Sequence, residues 1–168
     1  KTSPASGFLV QSRHGFRYVF FGRKNLSQRG SQGRSIARGE SDTLTGFPVL
    51  QEMPSVIYPD DDGPSLGEIQ LVDYYKSAAI KYPWAQDAYY MFPEVYYHYV
   101  DAKLQGLSGG LPTNAGPLDT QFAASRDGIV WERYDRRPVV PLGQPGEFDW
   151  ASARVIHGLG PSVDARYL

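Results

Sequence analysis

Three carboxylates stand where acid–base chemistry could be done: Asp73, Asp149 and Glu94. Hydrolysis of a glycosidic bond needs two carboxyl groups about 5 to 10 Å apart, one giving a proton to the leaving oxygen and the other acting as nucleophile or base. Glu94 follows Phe92-Pro93 and lies among tyrosines, whose rings could keep its acid form protonated near neutral pH. The alternatives are ordinary: an aspartate that caps a turn through backbone N–H groups, and a glutamate solvated in a loop. Around these carboxylates lie Tyr74, Tyr75, Tyr96, Tyr97 and His98, with His157 further on. A tyrosine offers a large apolar face and a polar edge, which suits either a sheet core or a flat, hydroxylated ligand such as a sugar. A lone histidine in an aromatic strand could contact a sugar hydroxyl or serve structure alone.

The stretch that must position these groups is Asp73 to Tyr99, which holds 10 of the 23 aromatic side chains in 27 residues. Its first half alternates apolar and polar residues, Pro83-Trp84 breaks it, and Ala88 to Phe92 is a second strand-like run. Two antiparallel strands joined between Tyr82 and Asp87 follow from that pattern. Upstream, the spacing predicts an incoming loop over residues 1 to 14, a strand over His14 to Arg23, a polar loop, and an alternating run at Arg34 to Arg38. A connector rich in Pro and Asp leads to the aromatic stretch. Downstream, Leu118 to Ser125 and Ile129 to Tyr134 flank Arg126-Asp127-Gly128, and Asp-Gly between β-rich runs is a strong hairpin signal. Asp127 is therefore expected to make the turn, as Asp42 does upstream, and Trp131 to pack between neighbouring units.

Two markers recur. Asp73…Asp87-Ala88-Tyr89-Tyr90-Met91 returns as Asp149…Asp164-Ala165-Arg166-Tyr167-Leu168, and Gly15 to Phe20 lies 72 residues before Asp87 to Phe92. Ser41-Asp42 and Ser125-Arg126 each precede an aromatic residue six positions beyond the serine, Phe47 and Trp131. A unit of this size holding four short strands describes a propeller blade, and propellers close with roughly 4 to 8 of them. The expectation is an all-β, five-bladed type of propeller of which two to three blades fall in this chain: one partial domain over residues 1–168, divided near 13–58, 59–145 and 146–168. Its partner would be the rest of the propeller, in a missing segment or another chain, because open sheet edges need covering.

Composition narrows the classes. The chain has 168 residues, 41% hydrophobic and 21% charged, enough for one packed domain, and its Gly and Pro content favours many turns. A net charge of −1 with scattered arginines gives no basis for nucleic acid. No apolar run is long enough to span a bilayer, so no membrane partner is expected. The absence of cysteine excludes disulfides and thiolate metal sites. Asp60-Asp61-Asp62-Gly63 lacks the alternation of a calcium loop, no Gly-x-Ser-x-Gly elbow or phosphate loop occurs, and neither cofactor nor metal is expected.

The segments SRDGIVWERYDRRPVVPLGQPGEFDW and DAYYMFPEVYYHY resemble the propeller glycosidases, the invertase-like and arabinanase-like families with their uncharacterised bacterial relatives. In those sequences an Asp opens the inner strand, a Tyr-rich strand follows, and a Ser-x-Asp-Gly-x-x-Trp hairpin runs through Arg and Pro to the next Gly-x-Phe-Asp. The resemblance implies a carbohydrate in a central pocket, Asp73 and Asp149 at the pocket ends of successive inner strands, and a secreted or periplasmic protein. The chain lacks the Trp-x-Asn-Asp-Pro, Arg-Asp-Pro and Glu-Cys signatures of the known enzymes, so their catalytic positions have no motif counterpart. Carbohydrate binding without catalysis is the competing reading.

Overall fold

The computed structural model describes residues 5–12, 15–26, 33–58, 69–99 and 116–156. Among them every regular element is a β-strand, and no barrel closes. The first sheet is an up-and-down meander in chain order, β1 (Ala5–Ser12), β2 (Gly15–Leu26), β3 (Gly33–Ser41) and β4 (Ser55–Ile57), antiparallel throughout. β1 occupies part of the expected incoming loop, because eight residues from Ala5 to Ser12 pair in unbroken register with β2. A short polar and glycine-containing run reads as loop in isolation and becomes a strand when an aromatic neighbour supplies the ladder.

The rest forms two three-stranded sheets: β5 (Ile69–Lys76), β8 (Glu94–Tyr99) and β9 (Leu118–Thr120) in one, β6 (Ile80–Lys81), β7 (Tyr89–Met91) and β10 (Ala123–Ser125) in the other. They are the two halves of one bent meander. β5 and β6 are separated only by Ser77 to Ala79, β7 and β8 by Phe92-Pro93, and β9 and β10 by Gln121-Phe122. Hydrogen bonds cross the bend from Phe92 N to Ser77 O (2.9 Å) and from Gln121 N to Pro93 O (3.1 Å). Pro93 cannot donate to the ladder, so the bend falls where pairing is already interrupted. The expected turn is present, with Tyr82 N donating to Ala88 O at 2.9 Å.

The Asp-Gly hairpin is also present, in reduced form. Ala124 and Glu132 exchange backbone hydrogen bonds of 3.0 and 2.9 Å, but the second arm is this isolated bridge, not a strand over Ile129 to Tyr134. Asp127 makes the turn as expected: its Oδ1 accepts from Ile129 N and Val130 N, both at 2.8 Å, and Gly128 adopts a φ of 73°. That left-handed conformation is open to glycine without the penalty a Cβ would bring. After the hairpin, the chain returns to the outer edge of β9. Leu118 N donates to Ala151 O and Ala153 N to Leu118 O, a parallel bridge that adds 151–153 beside the meander. The expected second inner strand beginning at Asp149 is therefore a turn followed by this edge segment.

The copy of the first marker at Asp164 to Leu168 lies outside the described residues; the described copies of both markers sit at corresponding points of the two meanders. Gly15 to Phe20 opens the second strand of the first, and Tyr89 to Met91 opens the second long strand of the other. Ser41 and Ser125 each end a third strand, and each Oγ accepts a backbone N–H two residues on, from Thr43 (3.1 Å) and Asp127 (3.3 Å). One core joins the meanders: Val19, Phe21, Ile36 and Ile57 from the first pack with Tyr74, Met91, Val95, Tyr97 and Ala123 from the second. Trp131 seals it, edge-on to Phe21 with ring centroids 5.8 Å apart.

Candidate functional site

The register of β5 against β8 sorts the predicted residues onto two faces. Asp73 pairs with Tyr96 and Tyr74 with Val95, and a shift between Tyr74 and Lys76 breaks the alternation. A bulge of this kind re-aims a side chain. Here it turns Tyr75 onto the face of Tyr96, the two rings meeting edge-on at 5.3 Å. Glu94, two residues before Tyr96, shares that face. Asp73, Tyr75, Glu94 and Tyr96 thus come together, while Tyr74 and Tyr97 turn into the core. His98 pairs in register with Leu71, His157 and the Asp60–Asp62 run lie outside the described residues, and Asp149 sits half-buried in the turn after Gly146. Its carboxylate packs with that of Glu147 against Gly143, where a Cβ would have no room.

Asp73 is wholly buried and gripped by β3. Arg34 N donates to its Oδ1 at 2.8 Å, and the Arg34 guanidinium donates to Oδ2 at 2.6 Å. Bonds from a backbone N–H and a guanidinium are the partners that make a buried carboxylate tenable. Arg34 also lies over the Tyr75 ring, 4.9 Å from its centroid, with Arg23 on the same ring at 4.7 Å.

Glu94 is 1% exposed, and neither carboxylate oxygen has a hydrogen-bond partner among the described residues. Arg154 Nε stands 2.6 Å from Oε1, a close ion pair whose direction does not complete a hydrogen bond. Burial pushes the Glu94 carboxyl above its ordinary value, and the opposing pull of Arg154, Lys76 and Arg23 does not cancel it. Tyr96 is raised as well, by burial first and then by Tyr75. A carboxyl raised in this way keeps its proton to a higher pH than a solvated glutamate, the direction a general acid needs.

The opposite face carries a second polar group that the sequence pattern did not single out. Tyr97 Oη donates to Asp119 Oδ2 at 3.0 Å, and Gln121 Nε2 donates to Tyr97 Oη at 3.1 Å. Asp119 Oδ1 and Gln121 Oε1 are buried without a partner among the described residues. Burial pushes the Asp119 carboxyl up to about 6, against the lowering effect of the Tyr97 hydrogen bond. Tyr97 is raised by burial and then by Asp119. Leu118-Asp119-Thr120-Gln121 reads as a plain alternating strand, and only the bend at Gln121-Phe122 buries its polar residues. Tyr74 Oη accepts a hydrogen bond from Arg133.

A cleft of about 550 Å³ lies apart from both groups, lined by Tyr90, Arg126, Asp127, Glu132 and Tyr134 among others at the hairpin. None of the predicted site residues lines it. Asp127, its only aspartate, is committed to the turn.

No protein-family model and no curated protein matches the chain. Among solved structures, a glycoside hydrolase superposes with a TM-score of 0.51 at 14% identity, over 92% of this chain and 37% of its own length. The chain thus spans little more than a third of that structure. At this identity the likeness is one of fold: an all-β, antiparallel, glycosidase-like architecture.

Proposed function

We propose that this chain is part of a glycoside hydrolase-like, five-bladed propeller that binds and acts on a carbohydrate at the face formed by Asp73, Tyr75, Glu94 and Tyr96. The observation that carries the reading is Glu94, a buried carboxyl raised by its surroundings beside a second carboxylate on the same strand pair. Diagonal neighbours on paired strands have Cβ atoms about 7 Å apart, within the range for two carboxyls that flank a scissile bond. Glu94 is then the acid, Asp73 the charged partner, and the half-buried Tyr75, overlaid by Arg23 and Arg34, the aromatic neighbour of the sugar. The glycosidase-like fold supports the same class. Exposed Phe148, Trp150 and Ile156, along the segment after the hairpin, supply an apolar edge that a further blade would cover.

One observation favours binding without catalysis: both Asp73 oxygens are already occupied by Arg34. Reducing-sugar release from a glycan panel, alongside calorimetric binding of the same glycans, separates the readings. For the enzyme, Glu94→Gln and Asp73→Asn lower turnover about 100-fold or more, since general acid–base groups contribute on that scale. Glycans bound but left intact select the binding module. A protein that neither binds nor cleaves any glycan of the panel sinks both.

A further inference from the structure

We infer that the sugar held at the Asp73–Glu94 face carries a negative charge, a uronate carboxylate or a sulfate ester, recognised by Arg23 and Lys76. The inference rests on the carbohydrate reading above and narrows its substrate class. Four cations, Arg23, Arg34, Lys76 and Arg154, gather around the two carboxylates. Arg34 is taken by Asp73 and Arg154 by Glu94. That leaves Arg23 and Lys76, both half-buried, with no hydrogen bond or ion pair to their side chains among the described residues. The chain as a whole has a net charge of −1, so this local excess of positive charge is not a reflection of composition.

The two cations do not serve to ionise Glu94, whose carboxyl stays raised in their presence. Arg23 is instead laid over the Tyr75 ring at 4.7 Å, as Arg34 is at 4.9 Å, so one ring orients two guanidinium groups. Stacking leaves the N–H edge of a guanidinium available for the paired oxygens of a carboxylate or sulfate, and reduces the rotamer freedom lost on binding. Lys76 pairs in register with Glu94 and adds a compact charge beside it. An anionic group on a sugar lying beside the half-buried Arg23 and Lys76 would thus meet donors and cations together, an arrangement that a neutral sugar does not require.

The test is calorimetric binding of three length-matched oligosaccharides, a neutral galactan, a galacturonan and a sulfated galactan, each at 20 and 200 mM NaCl. The expected result is at least tenfold tighter binding of one or both anionic oligomers at low salt, with the preference shrinking as salt rises. Which anion wins distinguishes uronate from sulfate. Arg23→Gln and Lys76→Gln should each reduce the ratio of anionic to neutral affinity severalfold, and Arg23→Lys should retain part of that ratio. Should the variants fail to fold, the wild-type salt dependence still decides. Equal binding of neutral and anionic oligomers, insensitive to salt, overturns this inference and leaves the carbohydrate reading standing. Binding of none of the three oligosaccharides overturns the carbohydrate reading and this inference with it.

Discussion

Asp119 is 7% exposed and its carboxyl is pushed up to about 6, chiefly by burial. An unfolded aspartate titrates near about 3.9, so between those two values the folded chain binds more protons than the unfolded one. Stability therefore falls as pH rises through that window, by on the order of 3 kcal/mol once Asp119 is fully ionised. Asp119→Asn keeps an acceptor for Tyr97 Oη but removes the titration. Unfolding free energies of the variant from urea titration should gain on those of the wild type by roughly 1–3 kcal/mol between pH 4 and pH 7; parallel curves would show that Asp119 ionises normally. Neither Asp119 nor Gln121, which meet at Tyr97 Oη, stands out in the sequence, because a strand of alternating residues does not reveal which side will be shut off from water. Asp73 did stand out, but its partner Arg34 lies 39 residues away, and no local pattern links them.

The hairpin after β10 is the most self-contained element. Ser125 Oγ accepts from Gly128 N at 2.8 Å and donates to Asp127 Oδ1 at 3.0 Å, while Asp127 holds Ile129 N and Val130 N. Burial would raise the Asp127 carboxyl, but these backbone donors bring it below its ordinary value. Asp127→Ala leaves these exposed N–H groups to water and should remove about 0.5–1.5 kcal/mol, a fall in Tm of roughly 1–6 °C for a chain of this size. A depressed carboxyl contributes above its unfolded pKa and loses that contribution as pH falls through the folded one. The Tm gap between variant and wild type should thus narrow at pH 3, and an unchanged gap would assign the loss to packing. Every partner in this element lies within a few residues, which is why Ser, Asp, Gly and Trp at fixed spacing foretold it. The bend of the second meander was not foretold, since it is a coincidence of three breaks in three strands that align only after pairing.

At the scale of the whole molecule, the meanders are joined by a shared core more than by chain connection. Phe21 is fully buried, 5.6 Å from Phe8 and 5.8 Å from Trp131, so it touches its own sheet and the hairpin of the other. Phe21→Ala should lower stability by about 3–5 kcal/mol, and the two meanders should still unfold in one transition, with tryptophan fluorescence and far-UV circular dichroism superimposed. Separate transitions would mean that the core does not couple them. The repeat in the sequence anticipated this plan, placing aromatic residues at corresponding points of two units. It also misplaced Asp149, because the segment that follows it adds to the edge of β9 instead of opening a further described strand.

By itself the sequence determined the all-β class, the aromatic strand pair and its turn, and the Asp-Gly hairpin, since alternation, proline breaks and turn chemistry act over a few residues. It also supplied the four side chains that meet on one face. Tertiary structure alone decided that they meet, through a bulge that swings Tyr75 beside Tyr96, and decided which carboxyls are raised, through burial by distant segments. Arg23, Arg34 and Arg154 reach that face from strands and loops far along the chain, and the charge around Glu94 exists only once those segments have packed.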